Sequence, residues 1–138
     1  MSDLVPSQFE FVQSGRIDEE FNCEPATLLI GDVVHFTTLD TWDLASDVSV
    51  LLAGSIDLGM VVKASTAGQP VRVLRGNAII NLGTAIGVTT DEIVVSANSG
   101  NMAPKGDLLS AAIYTSLGYM RSPDELVWRP NRTGLAKP

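Results

Sequence analysis

The sequence predicts an all-β protein: a small β-barrel or β-sandwich with an extended N-terminal arm and at most one or two short helices. Three observations predict it. Apolar residues make up 45% of the 138 and charged residues 18%, the balance of a chain that folds around a core. From Leu28 onward the apolar residues come in short runs rich in Val and Ile, which suit pleated strands. Between the runs, Gly, Pro, Asn and Asp recur about every 8–12 residues, the spacing of sandwiches and barrels.

The arm is Met1 to Pro25. It holds Pro6, Pro25, a break at Gly15 and the acidic run Asp18-Glu19-Glu20, with bulky Phe9, Phe11, Val12, Ile17 and Phe21 between them. Phe9-Glu10-Phe11 alternates as a short strand does. The segment reads as an arm with hydrophobic anchors or as a first strand that joins the core. On the arm reading, deleting it leaves the domain folded and weakens docking.

The domain, 26–129, opens on Leu28-Leu29-Ile30-Gly31-Asp32-Val33-Val34-His35-Phe36-Thr37, a β-rich run interrupted at Gly31-Asp32. Ser49 to Leu52 and Gly59 to Lys63 are short apolar runs. The turn Ala67-Gly68-Gln69-Pro70 leads into the strict alternation Val71-Arg72-Val73-Leu74-Arg75, and Arg75-Gly76-Asn77-Ala78 turns again. Ala78 to Ile80, Ala85 to Thr89 and Glu92 to Ser96 continue the series. Asp40 to Asp47 has room for a helical turn or two. Asp107 could cap a helix through Thr115, but the nearby Gly118 favours a strand there. Ser122-Pro123-Asp124-Glu125 matches a capping box or a turn before the strand Leu126-Val127-Trp128. The tail, 130–138, carries Pro130, Gly134 and Pro138 and reads as loosely held.

Charge excludes some functions. The formal net charge is −7 with a pI near 4.4, and such a chain repels phosphate backbones. Its nine basic residues are scattered. Met1 to Glu10 has neither a basic start nor an apolar run, so no secretory signal is expected. No stretch reaches the ~20 apolar residues that span a bilayer. The single cysteine, Cys23, reads as a reduced thiol.

A search for chemistry returns little. His35, the one histidine, sits in a strand-like run, and no G-x-S-x-G elbow occurs. His35 and Cys23 alone are too few to hold zinc. Asp40, Asp43 and Asp47 lie at helical spacing but lack the pattern of a calcium loop. Asn101 to Asp107 is no P-loop, and Gly83 to Gly87 is no dinucleotide fingerprint. Asp91-Glu92 are neighbours that point apart, unlike a glycosidase pair. No catalytic residue, cofactor or metal is expected.

Four segments carry a resemblance: Gly31-Asp32-Val33-Val34, Ala67-Gly68-Gln69-Pro70-Val71-Arg72-Val73, Ala85-Ile86-Gly87-Val88-Thr89-Thr90, and Val95 to Pro104. Over roughly residues 28 to 104 the chain resembles the head decoration (capsid cement) proteins of tailed phages. The resemblance implies a homotrimer on the outer capsid surface that fastens neighbouring major capsid protein subunits. It would be made in the host cytoplasm and carried on the virion, with no direct contact to nucleic acid or membrane. Short strands with exposed edges also suggest oligomerisation. Docking surfaces need apolar or aromatic anchors inside a polar rim. Phe9, Phe11, Phe21, Trp42 and Trp128 are the candidates, each with a core role as its alternative. Two other functions stay open: a tail, fibre or receptor-binding β-domain, and an enzyme whose site is shared between subunits.

Overall fold

Runs such as Val33-Val34 and Met60-Val61-Val62 put apolar side chains on both faces of a strand. They are stable only where both faces are covered. The structure, a computed structural model, meets that demand with two sheets and two cores. It describes residues 4, 8–19, 21–23, 27–37, 39–45, 58–83, 92–96, 98, 100–105, 113–122 and 124–136, with backbone alone for 113, 114 and 131–136.

The described residues form strands and no helix, in the order β1 (Glu10–Gln13), β2 (Ile17–Asp18), β3 (Asn22–Cys23), β4 (Thr27–Leu28), β5 (Val33–Phe36), β6 (Thr41–Leu44), β7 (Leu58–Lys63), β8 (Ser65–Thr66), β9 (Arg72–Leu74), β10 (Ala78–Asn81), β11 (Glu92–Val95), β12 (Met102–Pro104), β13 (Ile113–Met120) and β14 (Glu125–Ala136). The protein is all-β, as its sequence predicts. One six-stranded sheet has the order β1-β10-β14-β13-β11-β12 and the other β2-β9-β7-β5-β6-β3, while β4 and β8 make a small ribbon.

The second sheet curls back on itself. Its terminal strand β3 runs parallel to β6 (Asn22 beside Thr41, Cys23 beside Trp42). On its other side β3 bridges Pro70, just before β9. Cys23 N–H donates to the Gln69 carbonyl at 3.0 Å, and Val71 N–H donates to that of Phe21 at 3.1 Å. Alternate side chains therefore enter different cores. Val34, Trp42, Val61 and Val73 point inward with Cys23, Leu28 and Val71. Val33, Met60 and Leu74 point the other way, against Ala78, Ile80, Ile93, Val95, Leu117, Met120, Leu126 and Trp128 of the first sheet.

Two local expectations change and one open alternative is resolved. Asp40 to Asp47 holds no helical turn in its described part: Thr41–Leu44 is strand β6, hydrogen-bonded to β5. The Thr37 and Thr41 hydroxyls lie 2.7 Å apart across the turn, and Asp40 takes a left-handed φ of 59°. Strand pairing outweighs local helix spacing. The tail is not loose through residue 136, because β14 continues to Ala136 and pairs there with Ile113 of β13. Of the two readings around Ser122 and Glu125, the described residues fit the turn before a strand: Arg121 N–H donates to the Glu125 carbonyl at 3.0 Å and Glu125 N–H to that of Ser122 at 3.4 Å.

The segment read as an arm contributes edges to both sheets. β1 pairs with β10, β2 with β9, and β3 with β6. Leu4 is buried in the first core, its N–H donating to the Met102 carbonyl of β12 at 2.8 Å. An ion-pair cluster ties β2 down: Asp18 holds Arg16 at 3.1 Å and Arg75 at 3.2 Å.

Candidate docking surface

The five aromatic candidates are held in the body of the protein to different degrees. Trp42 and Trp128 are fully buried, one in each core. Trp42 meets the Phe36 ring at 5.1 Å, edge on, and the Arg75 guanidinium at 5.1 Å. Side chains with no solvent exposure support the core role for both tryptophans, since an anchor must reach its partner. Phe9 and Phe11 pack edge to face at 5.4 Å and lie half-buried on the first core. Phe21 packs on Phe36 at 4.6 Å against the second. None of the three projects freely.

Trp42→Ala is accordingly expected to act on stability, costing about 3–5 kcal/mol in a urea titration. A midpoint unchanged from that of the parent chain would contradict the burial.

Among the described residues the exposed large apolar side chains are others: Val12, Leu29, Ile30, Leu39 and Tyr119. Leu29 and Ile30 stand out because they are adjacent and rigidly held. They begin a tight turn, with Asp32 N–H donating to the Leu29 carbonyl at 3.0 Å. Gly31 supplies the φ of 91° that the third position of such a turn requires. Asp32 Oδ2 accepts the Leu29 N–H at 2.9 Å. Two bonds of 2.9 Å tie the turn to β7, Gly31 N–H to the Val61 carbonyl and Val61 N–H to the Asp32 carbonyl. The turn backbone is held by these four hydrogen bonds while two aliphatic side chains, 58% and 53% exposed, face solvent.

Beside the turn lies a notch of about 110 Å³ lined by Leu4, Ile30, Gly31, Asp32, Gly100, Asn101 and Met102. Gly100 locks its floor to the second sheet: its carbonyl accepts the Val33 N–H at 2.9 Å and its N–H donates to the Ala45 carbonyl at 2.8 Å. A side chain at 100 would strike Leu44, and φ there is 83°, so glycine is required. Burial pushes the Asp32 carboxyl above the usual range, against the opposing pull of the Leu29 N–H.

Sequence reading missed Leu29 and Ile30 because Leu28 to Thr37 scans as one strand. The available signal was the interruption at Gly31-Asp32. A turn there takes the two preceding residues out of the strand and leaves their side chains uncovered.

Among the described residues the other grooves bring no reactive pair together. An open cleft of about 420 Å³ is lined by Glu19, Thr27, Ala64, Ser65, Thr66, Gln69 and Pro70. The Ser65 hydroxyl in it sits 2.9 Å from the Pro70 carbonyl, and Glu19 faces Arg72 at 3.6 Å. His35 is buried in β5, opposite Asp43 of β6 and Leu58 of β7. The Cys23 thiol is buried, and its pKa is raised by that burial and by Asp43. A raised pKa keeps it in the unreactive thiol form. Asp40 and Asp43 lie in a turn and a strand, and Asp47 falls outside the described residues. Among the described residues no three of His, Cys, Asp and Glu gather as metal ligands would.

Comparison with protein-family models, curated proteins and solved structures finds no match to this chain.

Proposed function

We propose that the protein is a structural virion component that docks on the outer surface of a phage capsid and cements neighbouring major capsid subunits, acting as a homotrimer. The observation that carries this reading is the rigid turn presenting Leu29 and Ile30 to solvent. Two adjacent aliphatic residues, on a turn held by four hydrogen bonds, give contact area with little further ordering to lose on binding. The last two residues of the turn, Gly31 and Asp32, open the segment Gly31 to Val34 that carries part of the resemblance to cement proteins. A net charge of −7 favours a protein partner over nucleic acid. Many copies on one shell would multiply a modest affinity for each site.

The test is sedimentation of the purified protein with empty, expanded capsids, together with its mass in free solution. Saturable cosedimentation at a fixed ratio, by a trimer, is the expected result. Absence of binding, or a monomer that binds as a monomer, overturns the reading. Binding to host cells in place of capsids moves the protein to the adhesins.

A further inference from the structure

We propose that the notch beside the Leu29–Asp32 turn receives a lysine or arginine side chain from the partner protein. The inference rests on the docking reading above and names the chemistry of its contact.

The notch is lined mostly by polar atoms and holds one charged group. Leu4 and Met102 are buried, so the half-exposed Ile30 supplies the aliphatic surface beside the Asp32 carboxylate. Its volume, about 110 Å³, is somewhat less than the ~150 Å³ that holds a benzene ring in an engineered cavity. One extended side chain fits that space, and a folded segment does not.

Asp32 differs from the other described acids that hold a base. Asp18 holds Arg16 and Arg75, Glu19 holds Arg72, Glu92 holds Lys105 and Glu125 holds Arg121. Asp32 is half-buried, accepts the Leu29 N–H, and meets no lysine or arginine among the described residues. Gly100 puts no side chain beside its second oxygen: a Cβ there would lie 3.5 Å from Oδ1. A desolvated carboxylate favours an arriving positive charge.

The alternatives fit less well. A neutral aliphatic side chain would bury Asp32 further with no counter-charge. An acidic one would be repelled. A hard metal ion would want six or more oxygens where one carboxylate stands. Lysine and arginine fit better, laying an apolar stem along Ile30 and placing the charged head on Asp32.

The test is an amide-resolved NMR titration of the whole protein with the N-acetyl amides of lysine, arginine and norleucine. Lysine and arginine amides are expected to shift Gly31, Asp32, Gly100, Asn101 and Met102 together, with norleucine far weaker. Asp32→Asn keeps an oxygen for the Leu29 N–H and is expected to weaken lysine binding about fivefold without altering the rest of the spectrum. Equal shifts from norleucine, shifts centred elsewhere, or undiminished binding by Asp32→Asn overturn the proposal. Because the titration uses no capsid, it decides the notch even if cosedimentation fails. Should the parent chain cosediment and Asp32→Asn do so equally well, the cementing reading stands and the notch has no part in it.

Discussion

Removal of Met1 to Pro25 is expected to unfold the protein. The cut takes Leu4 from the first core and Cys23 from the second. It also removes Phe9, Phe11 and Ile17, packed on the first core, and Phe21, packed on the second. Full burial of one such side chain is worth roughly 1.5–3 kcal/mol. Two full and four partial losses therefore consume most of the ~5–15 kcal/mol by which a domain is stable. Backbone pairing goes as well: β10 and β9 lose their outer neighbours, and the curled second sheet loses β3, which joins β6 to the approach to β9. The measurement is a thermal melt followed by circular dichroism, with proton NMR dispersion as a check. Loss of the cooperative transition is the expected outcome. A truncated chain that melts cooperatively within a few degrees of the full chain would show that these strands are ornaments.

That expectation reverses what an arm would do, and the reason is specific. Prolines, glycine breaks and an acidic run at the N-terminus describe an irregular path. They carry no information about what the path runs beside. Val12 shows the difficulty: it lies at a register shift between Phe11 and Gln13 and is half exposed, whereas nearby Leu4 is buried. Local sequence distinguishes neither, because the partner surfaces, β10 and β12, lie more than 60 residues downstream.

What was legible was the part that depends on neighbours in sequence. Val71 to Arg75 alternates, and Val73 duly sits in a core while Arg72 is exposed. Gly68 takes the positive φ that its turn signal implies. Unbroken apolar runs such as Met60-Val61-Val62 were legible as strands, yet gave no sign that two cores lie on either side of them. The same limit applies to the aromatics. Trp42 and Phe21 have similar apolar bulk, and only the curl of the second sheet places one wholly inside it and the other at its margin. The Leu29–Asp32 turn was half visible: Gly31-Asp32 marked a break, but the exposure of Leu29 and Ile30 follows from the turn type.

Gly118→Ala is expected to cost at least about 3 kcal/mol, more than twice the effect of the same change at Gly68, and Gly118→Val to abolish folding. Both glycines have positive φ, 137° and 77°, so either substitution carries the ~1–3 kcal/mol strain of a disfavoured backbone conformation. They differ in what surrounds them. A Cβ at 68 meets nothing within 4 Å, whereas a Cβ at 118 runs into the Val127 carbonyl. That obstacle is main chain in the middle of a sheet. Gly118 lies opposite Trp128 of β14 on one side and Ile93 of β11 on the other, where the register of both pairings shifts. Relief would require parting β13 from β14, and with it Leu117, Met120, Leu126 and Trp128 in the first core. Urea midpoints of Gly118→Ala and Gly68→Ala, measured side by side, separate steric collision from backbone strain. Equal midpoints would mean that β13 yields without loss and that this bulge does not set the curvature of the long hairpin. A large gap would place a steric backbone constraint of the first sheet on β13, the strand that carries the exposed Tyr119.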